Sequence, residues 1–241
     1  MNIYIKDDEI ATENIVPGKR VYGEQLFEKD NLEYRFWNPT RSKLAAAYLN
    51  GLENLNIDEQ SEILYLGAST GTTVSHISDI AKDGFIYALE FSPVSMRKLV
   101  RLCEKRPNIA PILGDATKPK KYLNLVSKVD LVYCDVAQPN QTDAFIDNMN
   151  LFLKKDGFGI IMIKSRSIDV NQKPQKIFKQ EEKKLKEKGF KIVEKVKLEP
   201  YEKDHICFLV KNIFRFYYFL KLFNILFIKS IILIKYYLLY F

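Results

Sequence analysis

The chain has 241 residues, 47% of them hydrophobic and 28% charged, which suits one folded α/β domain with a small appendage and excludes a disordered or repetitive polymer. Its formal charge is +7, but four of the basic residues fall in positions 212–241 with no acid among them, so residues 1–211 carry only +3. That excess gives a mild attraction to phosphate and excludes a strong unaided grip on nucleic acid.

Residues 1–40 read as a small antiparallel β module. Ile3-Tyr4-Ile5 leads into the acidic turn Asp7-Asp8-Glu9, and the stretches 16–24 (VPGKRVYGE) and 27–37 (FEKDNLEYRFW) alternate apolar and polar residues between turn signals. A helix is expected next, capped by Asn38 or Thr40 and running through Lys43, Leu44, Ala47, Tyr48 and Leu49.

Strands and helices then alternate. The apolar run 63–66 ends at Gly67 and reads as a buried parallel strand, followed by Val74, Ile77 and Ala81 at helical spacing. A second strand over 85–89 ends at Glu90. Ser92-Pro93 then opens a helix with Met96, Leu99, Val100 and Cys103 on one face. Strands over 109–113, 129–134 and 158–163 end near Asp115, Asp135 and Lys164, and Phe145, Met149 and Phe152 mark the helix before the last of these. A charged helix from Pro174 to Lys188 stops at Gly189, its run 179–188 reading as a solvated face. Stretches 190–198 and 205–210 close the body as an antiparallel pair. The order predicts a doubly wound, seven-stranded Rossmann-like α/β sheet over residues 41–211, with the β module over 1–40 and an atypical tail over 212–241.

In doubly wound sheets ligands sit outside the carboxyl ends of the strands, where Gly67, Glu90, Asp115, Asp135 and Lys164 all fall. The loop 67–73 (GASTGTT) lacks the G-x-G-x-x-G fingerprint and the Walker lysine, so a phosphate cradle is not expected. Taken alone, its two glycines are commonly no more than a tight strand-to-helix turn. Glu90, 23 residues beyond Gly67, is placed to accept both hydroxyls of a ribose, and Asp115 to receive an adenine amino group. A nucleoside without phosphate, bearing a cation that Asp135 would stabilise, fits S-adenosyl-L-methionine.

Six segments carry a family resemblance: 14–24 (NIVPGKRVYGE), 34–46 (YRFWNPTRSKLAA), 65–79 (YLGASTGTTVSHISD), 135–141 (DVAQPNQ), 164–169 (KSRSID) and 198–205 (LEPYEKDH). In these the chain resembles archaeal fibrillarin, the methyltransferase of box C/D guide-RNA particles. The resemblance implies cofactor contacts at Gly67, Thr72, Thr73, Glu90, Phe91, Asp115, Ala116, Asp135, Val136, Ala137 and Gln138, and a catalytic set of Lys43, Asp135, Lys164 and His205. It also implies ribosomal and transfer RNA as targets, with a guide RNA, a Nop-family scaffold protein and a kink-turn-binding protein as partners. A ribose 2′-hydroxyl must lose its proton as it attacks. Lys164, closing an apolar strand, is expected to be the base, with Asp135 orienting it and Lys43 and His205 placing the ribose and its phosphate.

Two further readings stand beside this one: methylation of a protein glutamine, which nothing in the sequence selects, and a non-catalytic scaffold, against which the intact catalytic set argues. The three scattered cysteines, Cys103, Cys134 and Cys207, are expected to be buried free thiols in a reducing compartment, the cytoplasm. With only His76 and His205 beside them no metal site is expected, and His76 is assigned to a helix surface or cap. The polar, acidic start 1–10 is not expected to act as a signal peptide. In the tail, Lys221, Lys229 and Lys235 leave no charge-free run of the ~20 residues a spanning helix needs. Its apolar residues surround the axis instead of forming one membrane-binding face, and its composition is that of AT-rich codons read past a lost stop. The tail is therefore expected to be dispensable.

Overall fold

A computed structural model describes residues 3–6, 9–54 and 57–213. The chain opens with β1 (Ile3–Lys6), β2 (Glu9–Glu13), β3 (Leu26–Lys29) and β4 (Leu32–Phe36), an antiparallel sheet in the order β1-β2-β4-β3. β3 and β4 are joined by Asp30 and Asn31, both at positive φ (53° and 65°), the left-handed pair that a two-residue hairpin turn needs and that these side chains tolerate. The alternating stretch 16–24 forms turns instead of a strand. Gly18 and Gly23 take φ of 74° and 92°, and the Glu24 carboxylate accepts from the Val21 and Tyr22 amides. The strand that alternation did not reveal is β2, whose Ile10, Ala11 and Thr12 are buried in succession.

The first helix, α1 (Lys43–Leu49), is capped by Ser42, not by Asn38 or Thr40. Those two bond each other ahead of the helix, the Thr40 amide and hydroxyl both donating to the Asn38 carboxamide oxygen. Beyond it lie β5 (Glu62–Leu66), α2 (Thr72–Ile80), β6 (Phe85–Glu90), α3 (Pro93–Cys103), β7 (Ile109–Leu113), β8 (Val129–Cys134) and α4 (Gln141–Phe152). The body closes with β9 (Leu153–Lys164), the short α5 (Ser165–Ile168), α6 (Pro174–Glu187), β10 (Phe190–Lys197) and β11 (His205–Asn212). These strands build a seven-stranded sheet in the order β10-β11-β9-β8-β5-β6-β7. β9-β8-β5-β6-β7 are mutually parallel, while β11 inserts antiparallel between β9 and β10 and sets His205 opposite Lys164. The expected doubly wound sheet is present, with this antiparallel edge.

A core lies on each face of the sheet, one under α1, α2 and β2, the other under α4 and α6. Met96 and Leu99 of α3 are buried. Val100, one position round the helix from Leu99, is instead exposed. Cys134 and Cys207 are buried and Cys103 half-buried, all three as free thiols. On α6 the solvated face over 179–188 is interrupted by Glu181 and Leu185, both buried. The expectation for the tail lies outside the described residues, apart from Asn212 and Ile213.

Helix α2 is covered on both sides, because the small sheet packs on the face turned away from the main sheet; Thr73 through Ile80 are all buried. Four charges are enclosed there. Arg35 reaches Glu24 and, at 2.8 Å, Asp79, while Arg106 donates to Asp79 at 2.6 Å. His76 is fully buried, which corrects its assignment to a helix surface: its Nδ1 bonds the Thr12 hydroxyl at 2.8 Å, its Nε2 the Tyr22 hydroxyl at 2.9 Å, and its ring stacks on Trp37. Burial first, and the Arg35 and Arg106 cations after it, hold His76 well below its ordinary pKa, so it is a neutral part of the packing.

Candidate active site

The carboxyl ends of β5, β6, β7 and β8 enclose a cleft of 490 Å³. Of the residues implied as cofactor contacts, Gly67, Glu90, Phe91, Asp115, Ala116, Asp135, Val136, Ala137 and Gln138 line it. Thr72 and Thr73 do not; they form the first turn of α2, with the Thr73 hydroxyl donating to Ser42 at 2.9 Å. Ser69, Leu89, Gly114, Thr117 and Asn140 also line the cleft, each next to or within two positions of an expected residue, and no sequence signal of their own marks them.

The backbone explains the loop. Gly67 takes φ 85°, and a Cβ there would meet the Asp135 carbonyl oxygen at 2.4 Å. This glycine is therefore required for β5 and β8 to close side by side, before any ligand is considered. The Gly67 and Ala68 amides both donate to the Leu89 carbonyl, locking the loop to the end of β6. Glu90 is then fixed from two sides, one carboxylate oxygen accepting from the Ser69 amide at 2.7 Å and the other from the Ser92 amide at 2.7 Å. Each oxygen keeps a lone pair for a further donor. Beside it the Phe91 ring is 72% exposed, a large apolar face at the cleft mouth suited to stacking on a planar base. Asp115 accepts from the Thr117 hydroxyl at 2.7 Å and its amide at 3.0 Å, and pairs with Lys118. The Thr117 hydroxyl is the first cause that lowers the Asp115 pKa, so this carboxylate stays ionised.

Asp135 faces both the cleft and a second group of residues. The Lys43 ammonium lies 3.0 and 3.1 Å from its two oxygens, with both side chains about one-fifth exposed. The expectation that Asp135 orients Lys164 is thus revised: its partner is Lys43. Lys164 is exposed and its ammonium makes no hydrogen bond among the described residues, while its backbone is held by the buried Gln141, whose carboxamide spans the Lys164 N–H and C=O. His205, opposite Lys164 across the β9–β11 ladder, donates from Nδ1 to the Lys203 carbonyl at 2.7 Å. That bond fixes the tautomer and leaves Nε2 as an acceptor, which is buried without a partner. Burial lowers the His205 pKa; the Lys203 carbonyl opposes this and the nearby Lys43 cation adds to it. The strand ends thus collect a fixed carboxylate pair, an ion pair, a free ammonium and an unpartnered imidazole nitrogen. Among the described residues no group of three His, Cys, Asp or Glu side chains is placed to hold a metal.

A sheet of this order, with acids at the ends of its second, third and fourth parallel strands in chain order, belongs to the Rossmann-like methyltransferase class. The fibrillarin family model matches residues 1–213. The fibrillarin-like rRNA/tRNA 2′-O-methyltransferase of Methanothermobacter thermautotrophicus is 56% identical over 210 residues, which cover 87% of this chain and 94% of the relative. Aeropyrum pernix fibrillarin, solved with natively bound S-adenosyl-L-methionine, superposes with a TM-score of 0.79 at 47% identity, covering 86% of this chain and 92% of that one. The fibrillarin of a solved fibrillarin/Nop5p complex gives a TM-score of 0.82 at 44% identity, over 88% and 97%. The chain belongs to the fibrillarin family.

Proposed function

We propose that this chain transfers the methyl group of S-adenosyl-L-methionine to ribose 2′-hydroxyls of ribosomal and transfer RNA, directed by a guide RNA within a box C/D particle. The observation that carries this reading is that Asp135 belongs to two sites at once, lining the acid-edged cleft and pairing with Lys43 among the catalytic candidates. The activity named for the 56% identical relative and the cofactor bound by the Aeropyrum pernix protein support it.

The donor supplies an electrophilic methyl on a cationic sulfur, and the residues of the cleft fit it. Glu90 offers two anchored oxygens to vicinal ribose hydroxyls, Asp115 accepts from an exocyclic amine, and Phe91 covers the base. Asp135 places negative charge where the cation must sit, and Lys43 keeps that carboxylate oriented. The 2′-oxygen forms its bond to the methyl as the methyl–sulfur bond breaks, and the hydroxyl proton passes to the lone pair of Lys164 Nζ in its neutral amine form. The Lys164 side chain is exposed, so bound RNA can cover it and strip its water. His205, neutral with an acceptor Nε2, is set to receive a hydrogen bond from the target ribose. Holding donor and hydroxyl in line contributes as much as any single group.

In this proposal a Nop-family scaffold protein holds the chain on its guide, as the solved fibrillarin/Nop5p complex supports, and a kink-turn-binding protein completes the particle. Residues 1–40 act as a stabilising module and 41–211 as the catalytic unit, in a reducing cytoplasm where the three thiols stay free. Labelled methyl from the cofactor should enter RNA efficiently only when guide RNA and partner proteins are added. Efficient site-specific methylation by the chain alone, or label appearing in protein instead of RNA, would overturn the proposal.

A further inference from the structure

Lys43 and Asp135 are 92 positions apart, and the fold must bring them to 3.0 Å. Asp135 needs no help, since β8 ends there and Gly67 is packed against its carbonyl. Lys43 is less secure, being the first residue of a seven-residue helix whose opening turn has no acidic side chain. What holds that turn is Ser42, which caps α1 by accepting from the Ala45 amide. Its hydroxyl in turn accepts from the Thr73 hydroxyl at 2.9 Å, with Ser42 2% and Thr73 7% exposed. Thr73 stands in the first turn of α2, six residues along the loop that begins at Gly67. A solvent-shielded pair of hydroxyls therefore ties the helix carrying Lys43 to the loop that is wedged against Asp135.

We propose that Thr73, acting through Ser42, is a positioning residue for methyl transfer: the hydroxyl pair holds the start of α1 so that Lys43 stays on Asp135. The inference rests on the catalytic reading of Lys43 given above. It gives the Thr73 side chain a part other than the cofactor contact implied by resemblance, in keeping with its turning away from the cleft toward Ser42. Valine matches threonine in shape but leaves the Ser42 oxygen facing a methyl group. The cap then keeps only its bond to the Ala45 amide, and a displacement of roughly 1 Å at a reacting centre costs up to about 100-fold in rate.

The test uses the assembled particle with its guide RNA, and compares Thr73→Val, Thr73→Ser, Lys43→Ala and the double variant Lys43→Ala with Thr73→Val. Thr73→Val should lower kcat about 10- to 100-fold while cofactor affinity and the KM for RNA stay within a few-fold. Thr73→Ser, which keeps the donor, should restore most of the loss. In the Lys43→Ala background the valine should cost nothing further, because the residue it positions is gone. Cofactor affinity falling in step with the rate would make Thr73 a cofactor contact and overturn the proposal. A penalty that persists undiminished without Lys43, tracking a lowered melting temperature, would overturn it in favour of general packing. Lys43→Ala with full activity would remove Lys43 from the catalytic set and the positioning role with it. An active Thr73→Val beside an inactive Lys43→Ala would refute the positioning role alone.

Discussion

His76 and His205, the only histidines of the chain, sit in opposite circumstances. Both ring nitrogens of His76 are bonded, to Thr12 and Tyr22, and the charges around it are closed as well. Asp79 alone accepts from Thr12, the Ile15 amide, Arg35 and Arg106. Each charged group in that cluster has an opposite partner, and its two cations and two anions cancel. At the strand ends His205 has one nitrogen bonded and the other bare, Lys164 has no partner, and Glu90 is gripped through only part of its capacity. Buried charge that is fully matched fixes one domain surface on another; charge held rigid but left incomplete is what a ligand can complete. For the two histidines and the charges around them, degree of pairing, more than burial, separates the structural cluster from the strand ends.

Four substitutions or conditions press on that contrast. The largest effect should come from Lys164→Ala, which removes the free ammonium. Methyl transfer in the particle should fall by about 10²- to 10⁴-fold with cofactor affinity within a few-fold, and a collapse of cofactor binding would make Lys164 structural. Asp79→Asn leaves two buried cations, Arg35 and Arg106, facing the single anion Glu24. It should lower unfolding stability by about 3–5 kcal/mol in denaturant melts, and an unchanged midpoint would show the cluster to be dispensable. Glu90→Ala should weaken S-adenosyl-L-methionine about 10- to 100-fold by calorimetry, with little change in melting of the free protein beyond the loss of its two amide bonds. Unaltered affinity would take Glu90 out of the site.

The smallest effect concerns acid. Burial holds the folded pKa of His76 well below its unfolded value near 6.5, so the neutral form is the stabilising one. Its contribution is complete above pH 6.5 and declines as the pH falls below it, by up to about 1.4 kcal/mol per pH unit. His205, also depressed, adds in the same direction. Melts between pH 6.5 and 5 should show this slope, and His76→Gln should reduce it. A slope indifferent to that change would mean the buried histidine does not titrate as a structural group.

Much of the site could be read from the sequence because each acid closes an apolar run. A buried strand announces itself by composition, and topology then assigns its last polar residue to the ligand edge, as with Glu90, Asp115 and Asp135. What could not be read depended on a second layer. The periodicity of α2 marks the face toward the sheet but carries no sign that β2 and β4 cover the other, so nothing local marks His76, Arg35 and Arg106 as buried. β2 itself is too short, and buried too continuously, to alternate. The Lys43–Asp135 pair spans 92 positions and leaves no local trace in the sequence. Turn chemistry overrode alternation at 16–24, where Pro17, Gly18 and Gly23 prevent a strand.

The central claim is that the chain methylates a ribose oxygen selected by a guide, and the most direct measurement uses targets differing in one atom. The particle is assembled with a guide RNA and labelled cofactor, and methyl incorporation is mapped on an all-ribose target and on a target with a single 2′-deoxy nucleotide at the guided position. The account predicts one labelled 2′-oxygen on the first target and none on the second, with both targets bound equally. Equal labelling of the deoxy target, or label on a base or on protein, would contradict it.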